Sequence, residues 1–176
     1  SNSLNSIYCV DSERGGLNWQ FNHPRLNNIY SSVFGLKNKM VISSPNNIFV
    51  ISSSGKLIAI KDINKGTQYW ASPVEHDETL FIPTSSMIYK YNGISFSKIK
   101  NFDEVMGQLY ISLYDDLLMI SFLNERVIRI YDLKNNSIIW TTEKILNRSF
   151  IAPVYSGKYI FIADMLCLGT EYKLAS

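Results

Sequence analysis

The densest group of side chains that could do chemistry is the tetrapeptide Glu75-His-Asp-Glu78. Carboxylate oxygens are the ligands that hard cations prefer, so the chemistry to consider is cation binding. Taken alone, the tetrapeptide offers too few fixed oxygens for such a site. His23 lies beside Pro24 and has no partner that the sequence identifies. We therefore predict that residues 75–78 form a solvated turn and that His23 has no catalytic role.

Other signatures of catalysis are missing from the sequence. It has no Gly-rich phosphate loop, no G-x-S-x-G motif and no Cys/His pairing suited to nucleophilic catalysis. Its two cysteines, Cys9 and Cys167, form no CxxC or metal-binding spacing, and a disulfide between them is an open alternative. We predict no catalytic, cofactor-binding or metal-binding residue, and we expect that the protein is not an enzyme and binds no cofactor.

Length and composition indicate one packed domain. The chain has 176 residues, of which 46% are hydrophobic and 13% aromatic, and its net charge is +2. Lysine and arginine are scattered among acids, so we expect no nucleic-acid partner. No signal peptide or apolar run long enough for a transmembrane helix is present. A start processed from a longer precursor would still allow an exported protein.

Three stretches of the chain share one pattern, in which an Asp precedes a Trp by eight residues. Apolar residues stand two and four positions before each Asp, and a residue that tolerates positive φ stands four positions after it. The three stretches are residues 7–19 (Asp11, Gly15, Trp19), 58–70 (Asp62, Gly66, Trp70) and 128–140 (Asp132, Asn136, Trp140).

The shared pattern predicts a strand, a tight turn and a returning strand. Alternating apolar residues indicate a half-buried strand, and the Asp accepts hydrogen bonds from turn amides. The Gly or Asn closes the hairpin in the left-handed region, and the Trp packs between neighbouring sheets. Cys9 occupies a position that is Ile in the other two stretches, so we expect a buried free thiol. A degenerate copy is centred on Asn92-Gly93.

Strand patterns follow one another along the whole chain, and no helix of convincing length appears. Irregular four-stranded units of ~40 residues are typical of a β-propeller. We predict an all-β fold: a β-propeller portion of about three to four four-stranded antiparallel blades. A single portion would span residues 1–176, with a partial blade at 1–21, blades at about 29–71, 71–100 and 107–142, and a partial blade at 149–176.

The strand-Asp-x3-Gly-x3-Trp pattern resembles the PQQ-like repeat. The best match is residues 55–70, which continue into Ala71-Ser-Pro-Val74. The resemblance implies a propeller in which the Trp strands dock adjacent blades. One branch of the family, the quinoprotein dehydrogenases, binds pyrroloquinoline quinone and calcium. Its adjacent Cys pair is absent here. The other branch comprises non-enzymatic scaffolds, including the BamB-type outer-membrane protein assembly lipoproteins, and this chain resembles them in its bare repeats.

The resemblance therefore implies a non-enzymatic scaffold that mediates protein–protein interactions. Its most specific form is an assembly factor for outer-membrane β-barrel proteins, on the periplasmic side of an outer membrane. We expect protein partners, an outer-membrane assembly complex among them, and membrane association through a lipid anchor missing from this sequence. We also expect self-association through open propeller edges. The alternatives are a diverged or truncated PQQ-dependent quinoprotein dehydrogenase and a propeller interaction module of a larger complex.

Tyrosines are the residue type most suited to partner contact on such a surface. Packing in the core or between blades is at least as good an explanation for most of them, so we assign none of them to a site. The candidates are Tyr30, Tyr69, Tyr89, Tyr110, Tyr114 and Tyr131.

Overall fold

The fold is built of β-strands, as the sequence predicts. The computed structural model describes residues 5–26, 29, 33–44, 46–63, 72–84, 87–99, 109–122, 125–144, 152–156, 159–165 and 172–175, and no helix occurs among them. Within these ranges there is consequently no helix that could cross a membrane. The chain divides into two compact units, Ser1–Trp70 and Ala71–Ser176. A single propeller portion over the whole chain stays a prediction.

The first unit contains two antiparallel sheets. Strands β1 (Ser6–Val10) and β2 (Leu17–Asn22) form a hairpin. Strands β3 (Phe34–Leu36), β4 (Lys39–Ser44), β5 (Asn47–Ser52) and β6 (Leu57–Asp62) form a four-stranded sheet in sequence order.

The second unit contains three antiparallel sheets, each also in sequence order. One contains β7 (Val74–His76), β8 (Thr79–Pro83), β9 (Ile88–Tyr91) and β10 (Phe96–Lys98). The next contains β11 (Leu109–Tyr114), β12 (Leu117–Phe122), β13 (Val127–Asp132) and β14 (Ser137–Thr141). The third contains β15 (Val154–Ser156), β16 (Tyr159–Met165) and β17 (Tyr172–Ala175).

Inner strands of the four-stranded sheets are buried on both faces. The sequence predicts this for Leu117–Phe122, because its apolar residues are nearly continuous. The prediction is confirmed: every residue of β12 after Leu117 is buried. Strands β5 and β8 are also buried along nearly their whole length.

Side chains from neighbouring sheets form the cores within each unit. In the first unit, Ile7 and Phe21 of the hairpin pack with Ile42 and Phe49 of the four-stranded sheet. In the second unit, the larger core joins the two four-stranded sheets and contains Phe81, Ile88, Leu109, Leu118, Ile120, Phe122 and Tyr131. A smaller cluster joins the last two sheets and contains Ile128, Ile160 and Ile162.

The turn chemistry predicted for the first and third stretches is confirmed. Asp11 Oδ1 accepts hydrogen bonds from the backbone N–H groups two and three residues on, at 2.9 and 2.7 Å. Asp132 Oδ1 does the same at 2.8 and 3.0 Å. Gly15 and Asn136 have φ of 68° and 51°. The same geometry recurs at the degenerate copy, where Asn92 Oδ1 accepts the backbone N–H groups of Ile94 and Ser95.

The middle stretch is described only as far as Ile63. Strand β6, which leads into Asp62, is the returning strand of the β5–β6 hairpin and the last strand of its described sheet. Asp62 Oδ1 accepts a hydrogen bond from Asn47 Nδ2 at 2.7 Å and forms an ion pair with Arg25. The turn predicted to follow Asp62 falls on residues outside the described ranges, so its equivalence to the turns at Asp11 and Asp132 stays a prediction. Gly66 and Trp70 lie outside the described residues.

Three hairpins share a bulge on the returning strand. The register shifts by one residue after the first cross-strand pair from the turn in β1–β2 and β5–β6, and after the second in β13–β14. The extra residues are Asn18, Ile58 and Ile139, and all three are exposed.

Residues that pair just beyond the bulge show which positions of the hairpins correspond. The pairs are Cys9 with Trp19, Val50 with Ala59, and Ile130 with Trp140. Ala59 has the same position relative to its bulge as Trp19 and Trp140 have to theirs.

Trp19 and Trp140 have different environments. Trp19 packs against the core of the first unit, and its Nε1–H donates to the carbonyl of Ser53, in the β5–β6 turn, at 2.9 Å. Docking onto a neighbouring sheet is therefore confirmed for Trp19. Trp140 lies on the outermost strand of its sheet and is 45% exposed.

Cys9 is free but only half-buried, whereas the sequence predicts a buried thiol. Strand β1 pairs with β2 alone among the described strands, and this open edge leaves one side of the thiol uncovered. Cys167 lies outside the described residues.

Candidate functional site

A cleft in the second unit brings together polar side chains from separate turns. It has a volume of about 220 Å³ and lies where turns of the two neighbouring four-stranded sheets meet. Because β7–β8, β11–β12 and β13–β14 are antiparallel pairs, their connecting turns fall at the same end of the sheets. The lining residues are His76, Asp77, Thr79, Phe81, Lys90, Asp116, Leu133 and Lys134.

The tetrapeptide at 75–78 is divided between a strand and a turn. The sequence predicts a turn throughout, whereas Glu75 and His76 end strand β7 and only Asp77 and Glu78 form the turn, with φ of 45° and 58°. Alternation along the strand leaves Glu75 exposed and turns His76 inward. His76 therefore faces the cleft with a side chain only 20% exposed.

Asp116 joins three turns at this end of the sheets. Its Oδ1 accepts a hydrogen bond from His76 Nε2 at 3.0 Å, and its Oδ2 forms an ion pair with Lys134 Nζ. Its backbone carbonyl accepts the N–H of Leu133 at 2.9 Å. Because a carboxylate only accepts hydrogen bonds, the imidazole proton must reside on Nε2.

The electrostatics of the cluster follow from these contacts. The hydrogen bond from Lys134, followed by that from His76, holds the pKa of Asp116 below its ordinary value. In return, the Asp116 carboxylate raises the pKa of Lys134. Both groups are therefore charged at neutral pH.

Lys90 completes the cationic side of the cleft. Its ammonium donates to Asn136 Oδ1 at 3.2 Å and lies 5.7 Å from the centre of the Phe81 ring. Burial lowers the pKa of Lys90. The two lysines balance the formal charges of Asp77 and Asp116.

The cleft provides three atoms that could ligate a cation. Donor atoms of His76, Asp77 and Asp116 lie within 4.8 Å of one another, and His76 Nε2 is 3.5 Å from Asp77 Oδ2. A cation would have to displace the Nε2 proton and compete with Lys134 for Asp116. Its charge would also add to that of the two ammonium groups. The contacts instead describe a hydrogen-bonded clamp between turns.

Among the described residues that line the cleft, no hydroxyl or thiol is placed beside a base for nucleophilic catalysis. An activated nucleophile is a hydroxyl or thiol within hydrogen-bond reach of a base. The described lining contains no serine or cysteine, and Thr79 Oγ1 contacts the backbone carbonyl of Asp77 at 3.5 Å. The hydrogen bond between His76 and Asp116 connects turns of the two sheets.

His23 packs against aromatic rings in the first unit. It stacks on Phe21, with ring centres 6.3 Å apart, and meets Phe49 edge-on at 5.3 Å. Its Nδ1 accepts the backbone N–H of Arg25 at 3.1 Å. The histidine without an identifiable partner in the sequence is thus part of the packing around the first core.

Most of the described candidate tyrosines are in the core. Tyr89, Tyr110 and Tyr131 are buried. Tyr114 is exposed, and its ring packs at a tilt against that of Tyr155 with ring centres 4.1 Å apart. Tyr30 and Tyr69 lie outside the described residues.

Sequence reasoning missed Asp116, Lys134 and Lys90 as members of one cluster. Asp116 lies beside Asp115 in the turn between β11 and β12. Its partners are 40 and 18 residues away in the sequence, so no local spacing identifies them. The available signal was the antiparallel strand order, which places alternate turns at one end of the sheets.

Comparisons with known proteins support the fold. No protein-family model matches the sequence, and no curated protein matches it either. Among solved structures, BamB from Moraxella catarrhalis matches with a TM-score of 0.66 and 15% identity, covering 90% of this chain and 49% of that one. This chain spans about half the length of BamB.

Two computationally designed proteins also match. The chain is similar to Ika8 with a TM-score of 0.62 and 9% identity, covering 85% of this chain and 46% of that one. It is similar to Ika4 with a TM-score of 0.61 and 10% identity, covering 84% of this chain and 89% of that one.

These likenesses concern the fold, since all three identities are low. Membership of the PQQ-like repeat family stays a prediction. With the antiparallel sheets described above, the comparisons identify the chain as an all-β protein with a β-propeller-like fold.

Proposed function

We propose that this protein is a non-enzymatic propeller scaffold that mediates protein–protein interactions. The observation that carries the proposal is the exposure of apolar side chains on the outermost strands of two sheets. Leu57 and Ile58 are exposed on β6, and Ile139 and Trp140 on β14. Both strands are last in their described sheets, so they combine exposed apolar side chains with a strand edge that lacks a described neighbour.

Such a surface suits recognition of another polypeptide. A partner strand could add to the edge of β14 through main-chain hydrogen bonds, while exposed side chains provide selectivity. Aromatic side chains such as Trp140 are enriched among the residues that dominate binding energy. The proposal requires no chemistry from the cleft around His76.

The more specific form of the proposal is an assembly factor for outer-membrane β-barrel proteins. It is supported by the resemblance of the repeats to BamB-type lipoproteins and by the structural likeness to BamB. It includes a location on the periplasmic side of an outer membrane and an association with that membrane through a lipid anchor.

Site-specific photocrosslinking in the source cell tests the proposal. The crosslinker is placed at Ile139, which is 53% exposed on β14. The matched control is Ser97, which is exposed on β10, the outermost strand of the adjacent sheet, and has a polar side chain. Crosslinked proteins are purified from solubilised membranes and identified by mass spectrometry.

The outcomes separate the levels of the proposal. Recovery of an outer-membrane barrel with its assembly subunits from position 139, and not from position 97, supports the assembly-factor role. Recovery of an unrelated complex supports the scaffold and rejects that role. No specific partner, together with quinone absorbance in the purified protein, would reject the scaffold in favour of a quinoprotein enzyme.

A further inference from the structure

Lys90 occupies a position at which the sheet favours an apolar side chain. It lies on β9 directly opposite Phe81 of β8, and paired residues point to the same face of a sheet. Ile88, two residues before Lys90, lies on that face as well, and both Phe81 and Ile88 belong to the core between the two four-stranded sheets. The alternation along β9 therefore directs the ammonium group of Lys90 towards the neighbouring sheet.

The ammonium group of Lys90 is only partly compensated there. Its contacts among the described residues are a hydrogen bond to Asn136 Oδ1 at 3.2 Å and the Phe81 ring, whose centre is 5.7 Å away. No carboxylate in the described part of the chain forms an ion pair with it. Burial lowers the pKa of Lys90, because desolvation disfavours its charged form. Since an ammonium group has three N–H donors, Lys90 has donors left for a ligand.

The other charged side chains at the cleft already have partners. Lys134 forms an ion pair with Asp116, which also accepts the hydrogen bond from His76. Asp77 is 89% exposed, and its Oδ2 lies 3.5 Å from His76 Nε2. Because both acids lie in the cleft, they repel a ligand with two negative charges. Of the two lysines in the described lining, Lys90 is the one without an acidic partner, so the lining suits a ligand with a single negative charge.

The cleft is small and has apolar walls beside Lys90. Phe81 is 4% exposed, and Leu133 packs at the edge of the same core. A volume of about 220 Å³ is below the range of roughly 300–1,000 Å³ that is usual for drug-sized ligands. The cleft therefore suits a small organic ion, or the end of a larger molecule, better than a nucleotide or an extended cofactor.

We propose that the cleft binds a small monocarboxylate with an apolar body, whose carboxylate pairs with Lys90 and whose body lies against Phe81 and Leu133. A free organic acid and the C-terminus of a peptide with an apolar last residue share this chemistry. None of the described residues that line the cleft belongs to β6 or β14. The proposal therefore goes beyond the scaffold function, whose surface is on those two strands.

Ligand titrations followed by NMR spectroscopy test the proposal with matched probes. Benzoate has the charge and an apolar ring, whereas benzamide has nearly the same shape without the charge. We expect benzoate to bind and to shift the side-chain resonances of Lys90 in protein with isotope-labelled lysine. Benzamide should bind at least roughly tenfold more weakly, as for loss of a hydrogen bond between charged groups. N-acetyl-leucine represents a peptide C-terminus, and its affinity relative to that of benzoate identifies the source that the cleft prefers.

Two substitutions remove the charge at position 90. Lys90→Met places an apolar side chain of similar length on the core-facing side of β9, and Lys90→Gln retains an N–H donor for Asn136. Both should weaken benzoate binding at least roughly tenfold. Lys98→Met is the matched control, because Lys98 lies on β10 of the same sheet opposite Tyr89 and therefore points to the other face. It should leave the affinity for benzoate unchanged.

Circular dichroism and cooperative unfolding establish that each variant is folded, and the comparison of benzoate with benzamide requires no substitution. Equal affinities for these two probes would overturn the proposal, as would benzoate binding that survives both substitutions of Lys90. Binding of neither benzoate nor N-acetyl-leucine, or tighter binding of inorganic phosphate than of either, would also overturn it. None of these results depends on crosslinking at Ile139, so the scaffold function and the carboxylate site can fail separately.

Discussion

Replacing Gly55 with alanine tests the docking of the hairpin onto its neighbouring sheet. Gly55 lies in the β5–β6 turn with φ of +80°. A Cβ atom at this position would lie 2.8 Å from Trp19 Cδ2 and 2.9 Å from Trp19 Cγ. These atoms belong to the rigid base of the indole, which is also fixed by its hydrogen bond to the Ser53 carbonyl.

Two costs contribute to the expected destabilisation. An L-residue in the left-handed region costs roughly 1–2 kcal/mol. Forcing a methyl group into a packed contact costs a further 1–3 kcal/mol or so. We therefore expect Gly55→Ala to lower the free energy of unfolding by roughly 2–5 kcal/mol.

Gly15 provides a matched control for the backbone cost. Its φ is +68°, and an added Cβ meets no atom within 4 Å. Gly15→Ala should therefore cost only about 1–2 kcal/mol. Urea unfolding followed by circular dichroism compares the two variants, and their difference measures the steric cost of the contact with Trp19.

A double-mutant cycle then assigns that difference to the indole. In a Trp19→Ala background the clash is gone, so Gly55→Ala should cost about as much as Gly15→Ala. Equal costs of Gly55→Ala and Gly15→Ala in the wild-type background would refute the reasoning. The reasoning would also be refuted if Gly55→Ala lowered the free energy of unfolding just as much in the Trp19→Ala background.

Three further predictions concern the turns, the cleft and the core. Asp11→Ala should lower the free energy of unfolding by about 1 kcal/mol in urea titrations, whereas Asp11→Asn keeps an acceptor oxygen and should cost less; equal losses would argue against the Asx turn. The hydrogen bond from Lys134 is the chief reason that the pKa of Asp116 is lowered from 3.8 in the folded protein. The ionised carboxylate therefore contributes to the free energy of unfolding above pH 3.8, and this contribution is lost as the pH falls through the folded-state pKa. The stability difference between wild type and Asp116→Asn should therefore shrink in acid, and a pH-independent difference would contradict this. Ile120→Ala should cost roughly 2–5 kcal/mol because the side chain is fully buried, whereas Ile94→Ala on the surface should stay within about 0.5 kcal/mol; similar costs in thermal unfolding would contradict the assigned core.

Local chemistry made part of the fold predictable from sequence. At Asp11 and Asp132 the acceptor, the turn amides and the left-handed residue all lie within five residues, so the sequence contains the whole interaction. The continuous apolar run Leu117–Phe122 was similarly sufficient to predict a strand buried on both faces.

The middle stretch shows what the sequence pattern leaves open. Strand β6 pairs back onto β5, as β13 pairs back onto β12, and Asp62 bonds to Asn47. Pairing of β6 with β5 buries Ile48, Phe49 and Val50 of the central strand. The free energy of that burial depends on residues outside the eight-residue pattern, so a local motif could not predict the choice of partner.

The candidate cleft was predictable only in part, for a related reason. His76 and Asp77 were identified from their own residue types. Asp116 and Lys134 join them only because two sheets pack together and bring separate turns to one end. Such contacts depend on tertiary structure, and sequence spacing contains no record of them.

The bulges give the hairpins an unequal tolerance of two kinds of genetic change. Asn18, Ile58 and Ile139 are the extra residues of three returning strands, and their side chains are exposed. Codon changes at these positions alter only surface chemistry. Deletion of the same codon would keep the cross-strand pairs on both sides of the bulge and remove the local twist that the extra residue gives the strand. One-residue deletions in these strands should therefore be tolerated best at the bulge, whereas replacement of Ile58 or Ile139 alters the surface that we propose binds a partner.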